Sequence, residues 1–168
     1  MDIWKRPSGL VGVKVPILTD IPNDQAQLFN ARWHSRLPRM PMICIKLCYA
    51  LVYQDVVYGV GIWSHPVSNY RDAKRHLELR RLVIPDYAPK NTASRMLALM
   101  VRDIRKRFTQ YSACISYQDT EVHLGTIYKA AGWISLGSSK SGDWSHRGAN
   151  RINQSLAPKV LWVKSLIS

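Results

Sequence analysis

The chain has 168 residues, 46% hydrophobic and 21% charged, a balance that excludes a disordered polypeptide and suits a single domain over residues 1–168. Lysine and arginine number 24 against 11 acids, a formal net charge of +13; so large an excess disfavours compactness by self-repulsion and calls for an anionic partner, with nucleic acid the leading one. No apolar run reaches the roughly 18 residues of a membrane span, and the opening "MDIWKRPSG" lacks the apolar core of a signal peptide. A cytoplasmic protein with no membrane partner is expected.

In chain order, "LVGVKVPIL" (residues 10–18) alternates like a first strand and is expected to stop at "TDIPND". Asn23 or Asp24 is placed to cap a helix through "DQAQLFNARWHSRL", where Ala26, Phe29, Trp33 and Leu37 recur every three or four residues before Pro38 and Pro41 break the pattern. "MICIKLCYALVY" and "VVYGVGIW" read as strands joined by a "QD" hairpin. "HLELRRLVI" is the next strand; simple alternation puts Leu77, Leu79 and Arg81 on one side and Glu78, Arg80 and Leu82 on the other. From Thr92, an apolar stripe of Leu97, Met100, Ile104 and Phe108 predicts a helix carrying Arg95, Arg102 and Lys106 on another face. "SACISY" is a short buried strand, "EVHLGTIYKAA" a helix stopped by Gly132, "WISLG" a strand, "SSKSGDWSHRGANR" a polar loop, and "KVLWVKSL" a final strand. This order predicts an α/β, mixed α+β fold: a central mixed, mostly antiparallel sheet with helices on both faces. Cys44, Cys48 and Cys114, odd in number and without CxxC spacing, read as small core hydrophobes in a reducing compartment.

Several positions carry chemistry. In "PDYAPKNTASRML", Asn91 or Thr92 can cap a helix whose free amides near Ala93 and Ser94 favour an anion, with Lys90 and Arg95 adding charge. The stretch holds no glycine, which makes close backbone approach to a ligand harder. Asp119 ends a strand where open α/β sheets place ligands, beside Ser116 and Tyr117; it reads as a base or acceptor, or as the cap of the next helix. Arg81, mid-strand in an apolar run, needs Asp119, Glu78 or a bound anion as partner. His34 and His123 lack HxH or HExxH spacing. In one continuous helix, His123 and Tyr128 would diverge by roughly 140°.

"IYKAAGWISLG" resembles the helix-to-strand signature of the GNAT acyltransferase superfamily. More narrowly, "LRRL" at 79–82, then "PKNTASRML", then "SYQDTEVHLGTIYKAAGW" is similar to the motif series of the Mom family of phage DNA-modification proteins, and the likeness covers roughly residues 30–140. The early element "NARWHSRLP" matches more loosely, with Ser35 where an aromatic often stands. The resemblance implies a GNAT-like fold and a transferase that places a methylcarbamoyl group on adenine N6 of double-stranded DNA, protecting bacteriophage DNA from restriction in the host cytoplasm. It implies acetyl-CoA or a related acyl donor, held by Lys90, Asn91 and Ser94, and it raises iron, with His34 and His123 as ligands. Tyr128 would then be the general acid or a positioning phenol, Asp119 the base or N6 acceptor, Arg81 the anion holder and Ser94 part of the donor-binding turn. Ser116, Tyr117, Trp144 and Arg147 would touch the substrate, Trp144 as a wedge beside an extruded base unless it anchors its loop. Phosphates would meet the basic surface at Arg71, Lys74, Arg75, Arg102, Arg105, Lys106, Arg107, Lys140 and Arg151. The alternatives are a GNAT N-acetyltransferase acting on a protein or small amine, and a non-catalytic DNA-binding protein on this fold. The sequence sets no oligomeric state, a homodimer being one option.

Overall fold

The β-branched and aromatic runs between residues 45 and 83 form three antiparallel strands, β2 (Ile45–Tyr53), β3 (Val56–Ser64) and β4 (His76–Val83). The computed structural model describes residues 16–34, 45–121, 124–139 and 157–167. Gln54 and Asp55 both take positive φ, 47° and 62°, the backbone that a two-residue turn needs to match the twist of its strands. The "QD" hairpin therefore forms without the usual glycine. The described part of the first strand, β1 (Ile17–Asp20), pairs antiparallel with β2, so "TD" lies inside the strand it was expected to end. Residues 10–15 fall outside the described part.

A helix, α1 (Asn23–Trp33), follows Pro22 at the cap position and buries Ala26, Phe29 and Asn30. The second helix, α2 (Thr92–Arg107), crosses from β4 to β5 (Ala113–Asp119), the one parallel neighbour pair among the described strands. A short third helix, α3 (Thr126–Ala130), leads to β6 (Ile134–Ser138), and β7 (Lys159–Ser165) closes the sheet in the order β1-β2-β3-β4-β5-β7-β6. Two buried clusters show which helix covers which face. Met96, Leu97, Met100 and Ile104 of α2 and Tyr128 of α3 join Trp63, Leu77, Leu79, Cys114 and Trp162. Ala26 and Phe29 of α1 join Cys48, Ala50, Val60, Ile62 and Val83 on the opposite face.

Two expectations are corrected. The helix around Tyr128 does not begin at Glu121: Gly125 takes a left-handed φ of 72° and α3 starts only at Thr126, so Asp119 does not cap it and His123 precedes it. In β4, Ile62 pairs with Arg81 and Trp63 with Leu79, leaving Arg80 as the extra residue of a bulge. The bulge resets alternation. Leu82 packs with Leu77 and Leu79 on the α2 face, whereas Arg81 shares the α1 face with Ile62 and Val83.

Cys48 and Cys114 are buried free thiols, and burial pushes Cys48 up to about 12, so it is inert as a nucleophile at neutral pH. Cys44 lies outside the described residues. Among the described residues, no helix is long and apolar enough to cross a membrane.

Candidate functional site

The parallel seam between β4 and β5 is short. His76–Leu79 pair with Ala113–Ser116, and beyond those four rungs the strands share no register. The seam ends where Arg80 bulges out of β4, leaving the C-terminal halves of the two strands unpaired, a gap in the ladder. Breaks of this kind, at the carboxyl ends of strands, are where open α/β sheets receive ligands.

At the root of the gap stands Ser116, 2% exposed. Its hydroxyl lies 3.3 Å from the Leu79 carbonyl, across the last rung, and 2.9 Å from the Tyr128 phenol oxygen. A serine hydroxyl carries one proton. When Ser116 donates it to Leu79, the phenol donates to Ser116; when Ser116 turns to Tyr128, the phenol proton is released for another acceptor. Burial raises the Tyr128 pKa and hydrogen bonding from Ser116 lowers it by less, so the phenol keeps its proton at neutral pH. The Trp162 ring stacks on the Tyr128 ring, with centroids 5.3 Å apart and an interplanar angle of 11°, and Trp133 meets it edge-on at 5.6 Å. Trp162 is held in turn by its indole N–H, which donates to Gln118 Oε1 at 2.6 Å. Gly125 lets α3 come this close: a Cβ there would lie 2.6 Å from both Gln118 Oε1 and Trp162 Cζ2.

At the start of α2, Asn91 adopts a left-handed φ of 67°, the conformation a glycine would otherwise supply. The Ser94 hydroxyl donates to the Asn91 carbonyl (3.1 Å), and the Thr92 hydroxyl to the Pro89 carbonyl (2.6 Å). No acid lies in the first turn, and no side chain caps its amides. These features, with the exposed Lys90 and Arg95, fit an anionic donor at the helix start.

Asp119 is placed elsewhere. It lies three residues beyond Ser116 on β5, so strand alternation turns it to the α1 face, where its carboxylate meets Lys159 Nζ at 2.7 Å and accepts the Glu121 N–H at 3.0 Å. Tyr117 shares that face. The structure thus joins Ser116 and Tyr128 but not Asp119 and Tyr128. Neither expected ion pair forms as such at Arg81: its Nη1 donates to the Arg80 carbonyl at 2.7 Å, while the Glu78 carboxylate takes Arg80 Nε at 3.3 Å and the Val67 N–H at 3.0 Å. The buried Arg81 Nε has no hydrogen-bond partner, and burial lowers its guanidinium to about 10. His34 caps the C-terminus of α1. His123, Trp144 and Arg147 lie outside the described residues, as do Lys140 and Arg151. Among the described residues, no three His, Cys, Asp or Glu side chains gather as a metal site would require.

Gln118 and Trp162 escaped the sequence reading. Each sat in a run that read simply as strand, and the only available signal was a polar-edged Trp and a Gln at inward positions of buried strands.

The fold has known counterparts. The ribosomal-protein-S5-alanine acetyltransferase from Vibrio fischeri is 12% identical, with a TM-score of 0.63 over 90% of this chain and 97% of that one. A Bacillus subtilis acetyltransferase in complex with CoA is 12% identical, with a TM-score of 0.62 over 91% and 100%. An acetyltransferase of the GNAT family from Streptococcus pneumoniae is 11% identical, with a TM-score of 0.61 over 90% and 99%. At these identities the likeness establishes a GNAT-like fold. No curated protein matches the chain. A model described as the Mom protein family matches residues 18–162, a span that runs from β1 through the Ser116–Tyr128 pair to Trp162, and the chain belongs to that family.

Proposed function

We propose that this protein is a transferase that places a methylcarbamoyl-type group on adenine N6 in double-stranded DNA, shielding phage DNA from restriction in the host cell. The observation that carries the reading is the buried Ser116–Tyr128 hydroxyl pair at the root of the β4/β5 gap, in a chain of the Mom family. Transfer from a carrier that bears the methylcarbamoyl-type group on sulfur forms a C–N bond as the C–S bond breaks, and the departing thiolate takes up a proton while the attacking amine loses one; a plain acyl-CoA would leave an acyl group instead. Tyr128 holds a proton at the right place for the first of these events. Rotation of Ser116 from the Leu79 carbonyl to the phenol oxygen then supplies a hydrogen bond to the phenolate left behind. Asn91, Ser94 and Lys90 would hold the donor's phosphates at the start of α2, where no acid and no capping side chain compete for them. Asp119, on the other face and bound to Lys159, stands outside this proton path.

The test is direct. The protein is produced in bacteria, total DNA is digested to nucleosides, and deoxyadenosine is weighed by mass spectrometry. A shifted deoxyadenosine in cells making wild type, absent with Tyr128→Phe, is the expected result. Modified adenine at equal yield from wild type and Tyr128→Phe would remove Tyr128 from the chemistry. Unmodified DNA from folded wild type, in phage-infected and uninfected cells alike, would remove the activity.

A further inference from the structure

Resting on the DNA-modifying reading, we infer that the end of the molecule around the C-terminus of α2 is a separate anchor for the phosphate backbone of duplex DNA, remote from the donor turn. Four segments are tied together there. The Arg75 carbonyl accepts the Ser112 and Ala113 N–H groups at 2.7 and 3.4 Å, the Leu166 N–H reaches the Ser112 carbonyl at 2.9 Å, and the Arg105 guanidinium reaches the Ser165 carbonyl at 3.0 Å. The turn before β4, the start of β5, the end of β7 and the last turns of α2 therefore make one continuous surface.

Six cations crowd it: Arg71, Lys74, Arg75, Arg102, Arg105 and Lys106, all but the half-buried Arg71 exposed. Among the described residues none of the six makes an ion pair. The nearby acids are otherwise engaged. Asp103 accepts the Tyr49 hydroxyl and Arg107 at 2.8 Å each, and Asp20 takes the other side of Arg107 at 2.8 Å. Arg107 is thereby neutralised and belongs to the structure rather than the anchor. Asp72 shapes its turn, accepting the Lys74 N–H at 2.8 Å on its carboxylate.

A helix dipole accounts for cations in its last turn, at about 0.3–1 kcal/mol each. It does not account for Arg102, more than a turn earlier, nor for Arg71, Lys74 and Arg75 on another element. Uncompensated like charges repel, and a polyanion relieves that repulsion. Arg102 and Lys106 are four residues apart, about 6 Å along the axis, close to two of the roughly 3.4 Å axial rises per phosphate of one strand. Arg102 to Lys106 lie about 15–21 Å along the axis from the start of α2 at Thr92, or roughly four to six base pairs of duplex. Grip and chemistry are thus separated along one helix.

The experiment is fluorescence anisotropy of a labelled 20-base-pair duplex of arbitrary sequence, titrated with the full chain across a salt series. A triple variant, Lys74→Gln, Arg102→Gln and Lys106→Gln, is compared with wild type and with a control of equal charge loss, Arg32→Gln, Lys46→Gln and Lys129→Gln. Circular dichroism checks that both are folded. The anchor variant should bind at least tenfold more weakly at low salt. Its log K against log salt slope should be shallower by about 2–3, at about 0.9 per lost phosphate contact, with the control close to wild type. Equal weakening of both triples, or an anchor triple that binds like wild type, overturns the anchor and leaves the DNA reading standing. Wild type that binds no duplex overturns both.

Discussion

Gly125 and Gly132 form a matched pair for separating backbone strain from crowding at the candidate site. Their φ values are nearly equal, 72° and 70°, so replacing either by alanine puts an L-residue into the same left-handed conformation, at about 1–2 kcal/mol. Their surroundings differ. A Cβ at Gly125 would lie 2.6 Å from Gln118 Oε1 and from Trp162 Cζ2, whereas at Gly132 it meets only the Lys164 ammonium, at 3.0 Å on a flexible stem. Overpacking adds about 1–3 kcal/mol to the first substitution alone. Gly125→Ala should lose about 2–5 kcal/mol and Gly132→Ala about 1–2. At about 2–4 °C per kcal/mol for a chain of this size, Gly125→Ala should melt several degrees below Gly132→Ala in circular dichroism. Because Trp162 must move, Gly125→Ala should also lose DNA modification at temperatures where it is folded, while Gly132→Ala keeps it. Equal losses of stability from the two substitutions would refute the reasoning, since they would leave the close approach to Gln118 and Trp162 without energetic effect.

Ser116→Ala removes the hydroxyl beside a buried phenol; a loss of about 1–3 kcal/mol in urea unfolding is expected, with the modification rate down roughly ten- to a hundredfold. An unchanged rate would show that Ser116 does not support the Tyr128 phenolate. Tyr49→Phe deletes the 2.8 Å bond to the Asp103 carboxylate and should cost about 1.5–3 kcal/mol in the same assay, with DNA modification intact in the folded variant. The Glu78 carboxyl is raised above 4.5, chiefly by burial. The folded chain therefore binds its proton at a higher pH than the unfolded chain does. Its contribution is greatest below 4.5 and declines as pH rises through the folded pKa. The stability of wild type relative to Glu78→Gln should accordingly increase from pH 7 to pH 5 in paired urea titrations; parallel profiles would contradict the sign.

Hydrophobic pattern and composition were enough to reveal the elements of the described fold, even though β3 is buried on both faces and β6 on neither. Features that depend on a neighbour were hidden. The bulge at Arg80 exists only relative to Ile62 and Trp63, so a lone strand pattern put Arg81 on the wrong side. Asn91 replaces the glycine whose absence had argued against a tight donor turn, a substitution available to Asn because its short polar side chain tolerates left-handed backbone. The shortening of α3 was readable in principle, since Gly125 stands inside the stretch taken as helix. The separation of Asp119 from Ser116 was readable too: three residues along a strand reverse the face. The Ser116–Tyr128 contact, spanning 12 positions, had a motif as its only trace.

The strand order gives the site a schedule. β7 sits between β5 and β6, and its Trp162 is the ring against which Tyr128 lies flat. On a ribosome, residues 116–128 emerge well before residue 162, so a nascent chain carries Tyr128 without its aromatic backing and without a partner for β6. The packing around Tyr128 is therefore complete only once β7 has entered between β5 and β6.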